Sequence, residues 1–567
     1  MIQLKILTCL LLPIVFGQEN YSPQNNYNNP PNNYNNPPNN YNNPSNNYNN
    51  PPNNYNNPPN NYNNPPNNYN NPSNNYNNPQ NNFNKPSDNY NPEISGNQNT
   101  NNFNRNSYNI QQADQGDCCE DYCYVEDHEP YLNFGTKTAY ESLNRRTNSD
   151  QHIIPECKPV KFWSINRHGT TLPDADTIRM MRNINRLHED IIRNHEQRRT
   201  YPDKGRLCPS DYDLFKRWRF NESISERNAN TLARQGVEDL RMLARRYKGK
   251  YPELLQNYDE RSYTFEYSPE NHDSFQAYID GLFEQDAYRV HANIINGDRL
   301  TKPTQNCPKW QELENNQFAS MSEVMRFKET PYYKKMVVDV FRRLGYRFSP
   351  NASVIEEIYD LCRYEKAWNP QPKAPWCIAF NKNQLKLLEY VEDLKSYYKS
   401  GYGNRMSERI GCSPLKDLYE KFNRFVNGNS DGTKASFIFS DTNTFQSTLA
   451  ALGIAKDYMS LKADNYYEQS KRNWKSSVIS PFAANLVATL YECNRDEKYR
   501  VMFFLNENPV EFPDCSVGLC NWSVVQRKYQ RIVETCNIEN FCGGRGAAVK
   551  NYVSLVAVLL TIFVFKF

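Results

Sequence analysis

The sequence has few histidines, almost no net charge and no long apolar run, and each shortage argues against a class of function. Only seven histidines occur in 567 residues, His291 being the last, and no Cys-x-x-Cys pair is present, so a zinc site has few candidate ligands. The formal net charge of +3 is too small to indicate a nucleic-acid partner. The apolar runs at the two ends are shorter than the roughly 20 residues of a spanning helix.

The two ends resemble sorting signals. Met1 to Gly17 contains Lys5, an apolar run from Ile6 to Phe16 and a small residue before the expected cut, which is the layout of a signal peptide. Residues 543–567 combine small residues, a polar spacer and an apolar tail, which predicts a GPI-anchor signal with Gly544 as the attachment site. A short tail anchor is the alternative. We therefore expect a protein of the secretory pathway, outside the cell or on its surface.

The cysteines and the acceptor sequences for glycosylation agree with export. Of the 15 cysteines, all but Cys9 lie beyond the signal, and an even number spread through an exported domain predicts disulfides, although the pairing stays open. Three Asn-x-Ser sequences are acceptors for N-glycosylation in form, at Asn221, Asn351 and Asn521.

Residues 18–117 form a low-complexity tract. Tyrosine recurs every seven residues from Tyr27 to Tyr76 in a Tyr-Asn-Asn-Pro-Pro-Asn-Asn unit. A coiled coil is excluded, because proline in the units blocks the helix and one apolar residue in seven cannot form a hydrophobic seam. The composition predicts an extended stalk. The alternative to a simple spacer is a segment that adheres or is cross-linked through its tyrosines.

Residues 118–542 are long enough for a folded domain with a sizeable core. Val160 to Asn166 reads as a buried strand, and apolar residues then recur at helical spacing from Ile178 to Ile191. Further helices are predicted at Leu232–Tyr247, Gln384–Ser400 and Thr444–Lys456, and further strands at Ser262–Tyr267, Ser436–Ser440 and Tyr499–Leu505. This alternation predicts an α/β fold with a mainly parallel sheet and a helical insertion.

The chemistry is suggested by Arg167-His168-Gly169, which follows the first strand. Histidine can attack a phosphoryl group and form a covalent intermediate. An arginine beside it can bind phosphate oxygens through a bidentate fork. Gly169 would let the backbone turn close to the phosphate. The carboxyl ends of strands are where α/β folds place their sites, which favours a functional reading of this tripeptide.

The sequence resembles the histidine acid phosphatases, and within them the group that acts on inositol polyphosphates. The resemblance extends over most of 157–515. The segments that carry it are Phe162–Pro173, Thr231–Gly236, Gly281–Phe283, Leu361–Glu365, Pro375–Cys377, Tyr402–Asn404, Ser480–Leu486 and Leu505–Glu507. It implies a Rossmann-like sheet with flanking helices and a mostly helical cap. It also implies hydrolysis of phosphomonoesters through a phosphohistidine, without metal or cofactor, on a phosphorylated small molecule such as an inositol polyphosphate.

The resemblance identifies His168 as the nucleophile and Arg167 as a phosphate-binding arginine, but two other phosphate-binding arginines are replaced. The family motif has a second arginine where this chain has Thr171. A third arginine is expected after a strand, and the alignment of that segment places His272 there. Histidine would assist only when it is protonated.

The acid that protonates the leaving group is replaced as well. The family has His-Ala-Glu-Thr before a helix, where the histidine binds phosphate and the glutamate donates the proton. This chain has Asp441 and Asn443 at those positions. Asp441 would repel phosphate when ionised, and Asn443 cannot donate a proton to an alkoxide, a step typically worth about 10²–10⁴-fold in rate.

Two functions follow from the same residues. In the first, the protein is an enzyme in which His168 attacks a phosphate held by Arg167, with activity weakened by the substitutions. In the second, it is a pseudophosphatase that binds an extracellular ligand or acts in adhesion. Ancestry favours the first and the substituted residues favour the second. The oligomeric state is not indicated by the sequence.

Overall fold

The structure is a computed structural model that describes residues 121–128, 133–143, 152–197, 204–294, 300–305, 307–315, 318–347 and 349–543. The predicted signal peptide, stalk, Gly544 and C-terminal anchor lie outside these residues, as do Cys118 and Cys119. In the part of the chain that is described, every helix is too short or too polar to cross a bilayer.

The described strands form one eight-stranded sheet. They are β1 (Cys157–Arg167), β2 (Tyr263–Tyr267), β3 (Asn293–Ile294), β4 (Ala435–Ser440), β5 (Asn485–Cys493), β6 (Tyr499–Leu505), β7 (Asn508–Pro509) and β8 (Leu519–Asn521). The order is β3-β2-β4-β1-β5-β6-β7, and β8 pairs with β6. The half that contains β1 to β4 is parallel, whereas β5 to β8 pair in antiparallel fashion. The predicted fold class is therefore confirmed, and the sheet is mixed.

Helices fill most of the remaining described chain. They are α1 (Tyr140–Leu143), α2 (Ala175–Asn183), α3 (Asn185–Glu196), α4 (Pro209–Lys216), α5 (Arg234–Lys250), α6 (Pro252–Leu255), α7 (His272–Phe283), α8 (Pro308–Asn315), α9 (Phe318–Lys328), α10 (Pro331–Arg343), α11 (Ser353–Trp368), α12 (Lys382–Ser400), α13 (Ser407–Ile410), α14 (Cys412–Val426), α15 (Thr442–Leu452), α16 (Ser476–Ile479), α17 (Trp522–Glu534) and α18 (Ile538–Cys542). The run from α8 to α14 lies between β3 and β4 and forms the predicted helical insertion.

The segment predicted as one helix from Ile178 to Ile191 is two helices, α2 and α3. Ile184 separates them, with a ψ of −7°. Asparagine stands on both sides of it, and asparagine is a poor helix former because its side chain competes for the backbone. The helix α2 begins where the sequence indicates, because the side chain of Asp174 accepts a hydrogen bond from the Thr177 amide at 2.9 Å.

Alternate residues of the central strands face two different cores. Phe162 of β1 and Phe437 of β4 pack with α5 and α7 on one face. Trp163 and Ile438 pack on the other face, together with α14, α15, α17 and the helices of the insertion. This is the side-chain alternation of a strand buried on both sides. It fixes the carboxyl ends of β1 and β4 side by side, with Arg167 opposite Ser440.

The predicted disulfides are present among the described cysteines, and the structure supplies their pairing. The six bonds are Cys123–Cys208, Cys157–Cys493, Cys307–Cys542, Cys362–Cys377, Cys412–Cys536 and Cys515–Cys520. The second joins the start of β1 to the end of β5 across the middle of the sheet.

We expect removal of the Cys157–Cys493 bond by a double alanine substitution to lower the free energy of unfolding by about 2–5 kcal/mol. Its cysteines are 336 residues apart, so the bond restricts the unfolded chain strongly. The Cys515–Cys520 bond spans 5 residues and serves as the matched control, with a smaller expected loss. Guanidinium unfolding of both variants measures the difference, and equal losses would contradict the prediction.

Candidate active site

The site is built around Arg167, the last residue of β1, whose side chain is only 1% exposed. Its Nε donates to Thr442 Oγ1 at 2.7 Å, and its Nη1 donates to the carbonyls of Thr136 at 2.7 Å and Ser480 at 3.1 Å. These three bonds fix the plane of the guanidinium. The Nη2 donors make no hydrogen bond to a described residue, so they are the ones available to a phosphate.

Burial lowers the pKa of Arg167 to about 9, and the nearby Tyr364 and Asp441 act in the opposite direction. The guanidinium therefore stays charged at neutral and acidic pH. Its carbon lies 4.8 Å from the centroid of the Phe482 ring. The stacking leaves one edge of the cation for a ligand while the other edge is held by the protein.

His168 is oriented by its own backbone. Its Nδ1 lies 2.9 Å from the carbonyl oxygen of Gly169. Because a carbonyl only accepts, Nδ1 carries the hydrogen and Nε2 of the neutral ring keeps its lone pair. The ring is partly exposed and packs edge-on against Phe482, with 5.9 Å between centroids. This arrangement leaves Nε2 with the free lone pair that a nucleophile requires.

Burial and the nearby positive charges both disfavour protonation of His168. Burial lowers the pKa of His168 well below its usual range, and the positive charges of Arg167, Lys137 and Lys302 lower it further. The hydrogen bond to Gly169 raises it and is outweighed. A neutral imidazole is the form that can attack phosphorus, so burial favours the reactive form.

Gly169 has a packing role that the sequence analysis did not predict. A Cβ at this position would lie 2.9 Å from the carbonyl oxygen of Gly236 and equally close to a Leu240 methyl. A Cβ on Gly236 would lie 2.4 Å from the Thr170 oxygen. The two glycines let the start of α5 pack directly on the loop that carries His168. The described contacts thus explain glycine here by the close approach of helix and loop, and a backbone turn close to phosphate stays a prediction.

Asp441 lies at the start of α15 and caps it. Its Oδ1 accepts a hydrogen bond from the Thr444 amide at 2.7 Å. Helix N-termini bind anions because their amides are unpaired and their dipole is positive. Here the carboxylate of the chain itself occupies that position, beside Thr442, which binds Arg167. A phosphate at this end of the sheet meets a negative charge where the family has a histidine.

Asn443, at the position of the proton donor, is hydrogen-bonded to a buried serine. Its amide oxygen accepts a hydrogen bond from Ser400 Oγ at 2.9 Å, and Ser400 is fully buried at the end of α12. An amide carries no acidic proton in any case. Asn443 is therefore not arranged to protonate a leaving group.

Thr171 and His272 align with the two missing arginines, and their described contacts are with residues other than Arg167 and His168. The carbonyl of Thr171 accepts a hydrogen bond from Trp368 Nε1 at 3.2 Å, and its backbone pairs with Leu232. The His272 side chain is 54% exposed, and its contacts are with Asp273 and the Tyr267 ring. Among the described residues it bonds neither Arg167 nor His168. Its helix does reach the site, since Ser274 Oγ accepts from the Gly169 amide at 3.2 Å.

Two cations that the sequence analysis missed lie near His168. Lys137 follows Thr136, and its ammonium lies 5.2 Å from the Tyr364 centroid and 5.5 Å from that of Phe482. Lys302 is ion-paired with Glu270. Neither lysine belongs to the Arg-His-Gly segment, and only the folded chain brings them to it. The pattern of the sequence contains no local signal for either.

The acceptor asparagines for glycosylation differ in exposure. Asn221 and Asn351 are exposed, and each accepts a hydrogen bond from the serine amide two residues on, at 3.1 Å. Asn521 is half-buried at the end of β8. Glycosylation stays a prediction at all three.

The parallel strand ends, the buried arginine and the oriented histidine agree with the fold and motif of the histidine phosphatase family. The model of the histidine phosphatase superfamily (branch 2) matches residues 165–506, and the chain belongs to this family. It is similar to multiple inositol polyphosphate phosphatase 1 of Drosophila melanogaster, with 36% identity over 76% of this chain and 91% of the relative. The protein of the same name from Gallus gallus is 29% identical over 72% of this chain and 92% of its own.

Solved structures share the fold. A phytase from D. castellii superposes with a TM-score of 0.59 at 17% identity, covering 73% of this chain and 87% of the phytase. The multiple inositol polyphosphate phosphatase of Bifidobacterium longum, in complex with inositol hexasulfate, gives 0.54 at 14% identity, covering 70% of this chain and 97% of that protein. At these identities the likeness supports the fold.

We expect the His168 ring to become protonated at lower pH than an ordinary imidazole, because burial lowers its pKa. An imidazole in water has a pKa near 6.5. Nitrogen NMR shifts of the labelled domain between about pH 4.5 and 7.5 measure this, with His168→Gln assigning the resonance. A His168 titration midpoint near 6.5 would contradict the described burial.

Proposed function

We propose that this protein binds phosphomonoesters, inositol polyphosphates among them, and hydrolyses them only slowly through a phosphohistidine at His168. The observation that carries the proposal is that the site keeps its nucleophile and one arginine but lacks its proton donor. Arg167 and His168 are held as a phosphate-binding cation and a nucleophile. Asn443, at the position of the proton donor, is an amide bonded to Ser400.

The substrate class rests on similarity. Two curated relatives bear the name of multiple inositol polyphosphate phosphatase, and a structural relative is solved with inositol hexasulfate. An inositol phosphate is an alkyl ester whose alkoxide leaves poorly unless it is protonated. The absence of an acid should therefore slow this substrate more than an aryl ester, whose leaving group is stable as an anion.

The loss of positive charge in the pocket should also lower activity. A phosphomonoester carries close to two negative charges, and each charge-assisted hydrogen bond contributes about 1.5–3 kcal/mol. Thr171 supplies no positive charge, and the carboxylate of Asp441 repels the phosphate. The proposal therefore includes weaker phosphate binding as well as slower transfer.

A second candidate is a pseudophosphatase that binds an extracellular ligand or acts in adhesion. Four substitutions that serve the same step favour it together. The substituted residues are Thr171, His272, Asp441 and Asn443. The predicted secretion and surface anchoring belong to both candidates. The six disulfides support export, because such bonds persist in oxidising compartments.

We expect p-nitrophenyl phosphate to be hydrolysed measurably, and inositol hexakisphosphate far more slowly, between about pH 4 and 7.5. Replacing Asn443 with glutamate should raise hydrolysis of the inositol ester by up to about 10²–10⁴-fold and that of the aryl ester much less, because only the former needs a proton. Phosphate release by the purified secreted protein measures both. Asn443→Gln, which supplies no acid, is the control.

His168→Ala separates the two candidates. If wild-type release does not exceed that of this variant for either ester, the binding role alone stands and the slow enzyme is excluded. If wild type hydrolyses both esters at similar rates in a His168-dependent manner, another group donates the proton and the assigned role of Asn443 is wrong.

A further inference from the structure

The phosphate site lacks a second cation in its own motif. Thr171 replaces an arginine, and the guanidinium of Arg167 offers only Nη2 to a ligand. One cation cannot balance a phosphate dianion next to the carboxylate of Asp441. If the site binds phosphate, positive charge must come from another part of the chain.

Lys137 is placed to supply this charge. The Phe482 ring has the Arg167 guanidinium at 4.8 Å, the His168 ring at 5.9 Å and the Lys137 ammonium at 5.5 Å from its centroid. The residue before Lys137 is Thr136, whose carbonyl accepts the bond from Arg167. Nucleophile, arginine and lysine thus surround the same aromatic side chain.

The ammonium of Lys137 has no carboxylate partner within the described part of the chain. Its described contacts are the faces of Tyr364 and Phe482. Lys302, the other nearby lysine, is paired with Glu270. Lys137 is therefore the cation whose charge is not already balanced. A cation over aromatic rings keeps its donors for a further ligand.

The turn that carries Lys137 is held in place by helices on several sides. Gly135 adopts a φ of +55°, and a Cβ there would lie 3.0 Å from Cβ of Glu392. Glu392 is in turn bonded by Arg363 Nη1 at 2.9 Å, and both helices, α11 and α12, contact the turn. A side chain on such a support can bind a ligand without much loss of conformational freedom.

We propose that Lys137 is a phosphate-binding residue of this site and that it supplies the positive charge missing at Thr171. This inference rests on the proposed function. It assigns recognition of the anion to a segment about thirty residues before the motif.

The test is calorimetric titration of the full chain with inorganic phosphate, which binds without turnover. Lys137→Met keeps the apolar stem over the two rings and removes the charge. It should weaken phosphate binding by about 10- to 100-fold, the value of one charge-assisted hydrogen bond. Lys137→Arg should stay within a few-fold of wild type. Lys456→Met is the matched control, since that ammonium lies 5.3 Å from the Tyr402 ring, and it should leave binding unchanged.

Each contrary result is distinguishable. If Arg167→Met abolishes binding while Lys137→Met and Lys137→Gln, both folded by circular dichroism, bind as wild type does, the role of Lys137 is wrong and the proposed function stands. If wild type itself binds neither inorganic phosphate nor inositol hexakisphosphate, the proposed function fails and this inference fails with it.

Discussion

The buried guanidinium of Arg167 is the interaction on which the rest of the site depends. It joins three separate parts of the chain, because its hydrogen bonds reach the turn before α1, the segment after α16 and the start of α15. A cation removed from water in this way needs such partners, since leaving it unpaired would cost several kcal/mol. The same bonds decide what surrounds His168. Lys137 comes from the first of these parts and Phe482 from the second.

The helix start next to Arg167 explains why binding and catalysis separate. In this fold the first turn of α15 is a favourable place for a phosphate, and Asp441 places a carboxylate there instead. The carboxylate stabilises the helix by accepting the hydrogen bond from the Thr444 amide. A residue committed to capping is poorly suited to donate a proton. The chain thus keeps the nucleophile and its arginine but has changed the end of the site where the leaving group would depart.

The sequence predicted what depends on local pattern. β1, β2, β4 and β6 follow from short apolar runs, and the place of Arg167 and His168 follows from the end of β1. The strand β5 was not predicted, although Leu486 to Tyr491 is a short, mostly apolar run of the kind that indicates a buried strand. Lys137 was missed for a different reason. Its role depends on the Phe482 ring, more than 300 residues further along the chain, and on the fold that brings them together.

The residue assignments also show where alignment to a family reaches its limit. It placed His272 at the position of a third arginine, and the structure places that side chain half in solvent against Tyr267 and Asp273. It predicted that Asn443 could not act as an acid, and the hydrogen bond to Ser400 gives that residue a structural role instead. The central claim is therefore that His168 can accept a phosphoryl group although no neighbouring group assists departure of an alkoxide.

The most direct test of this claim is mass spectrometry of the intact protein and its peptides after rapid mixing with 2,4-dinitrophenyl phosphate or inositol hexakisphosphate. The account predicts phosphate on His168 with the activated aryl ester and little or none with the inositol ester. Equal and rapid phosphorylation of His168 by both esters would contradict it, because an acid would then have to be present. Phosphate on neither would show that the nucleophile itself is inactive.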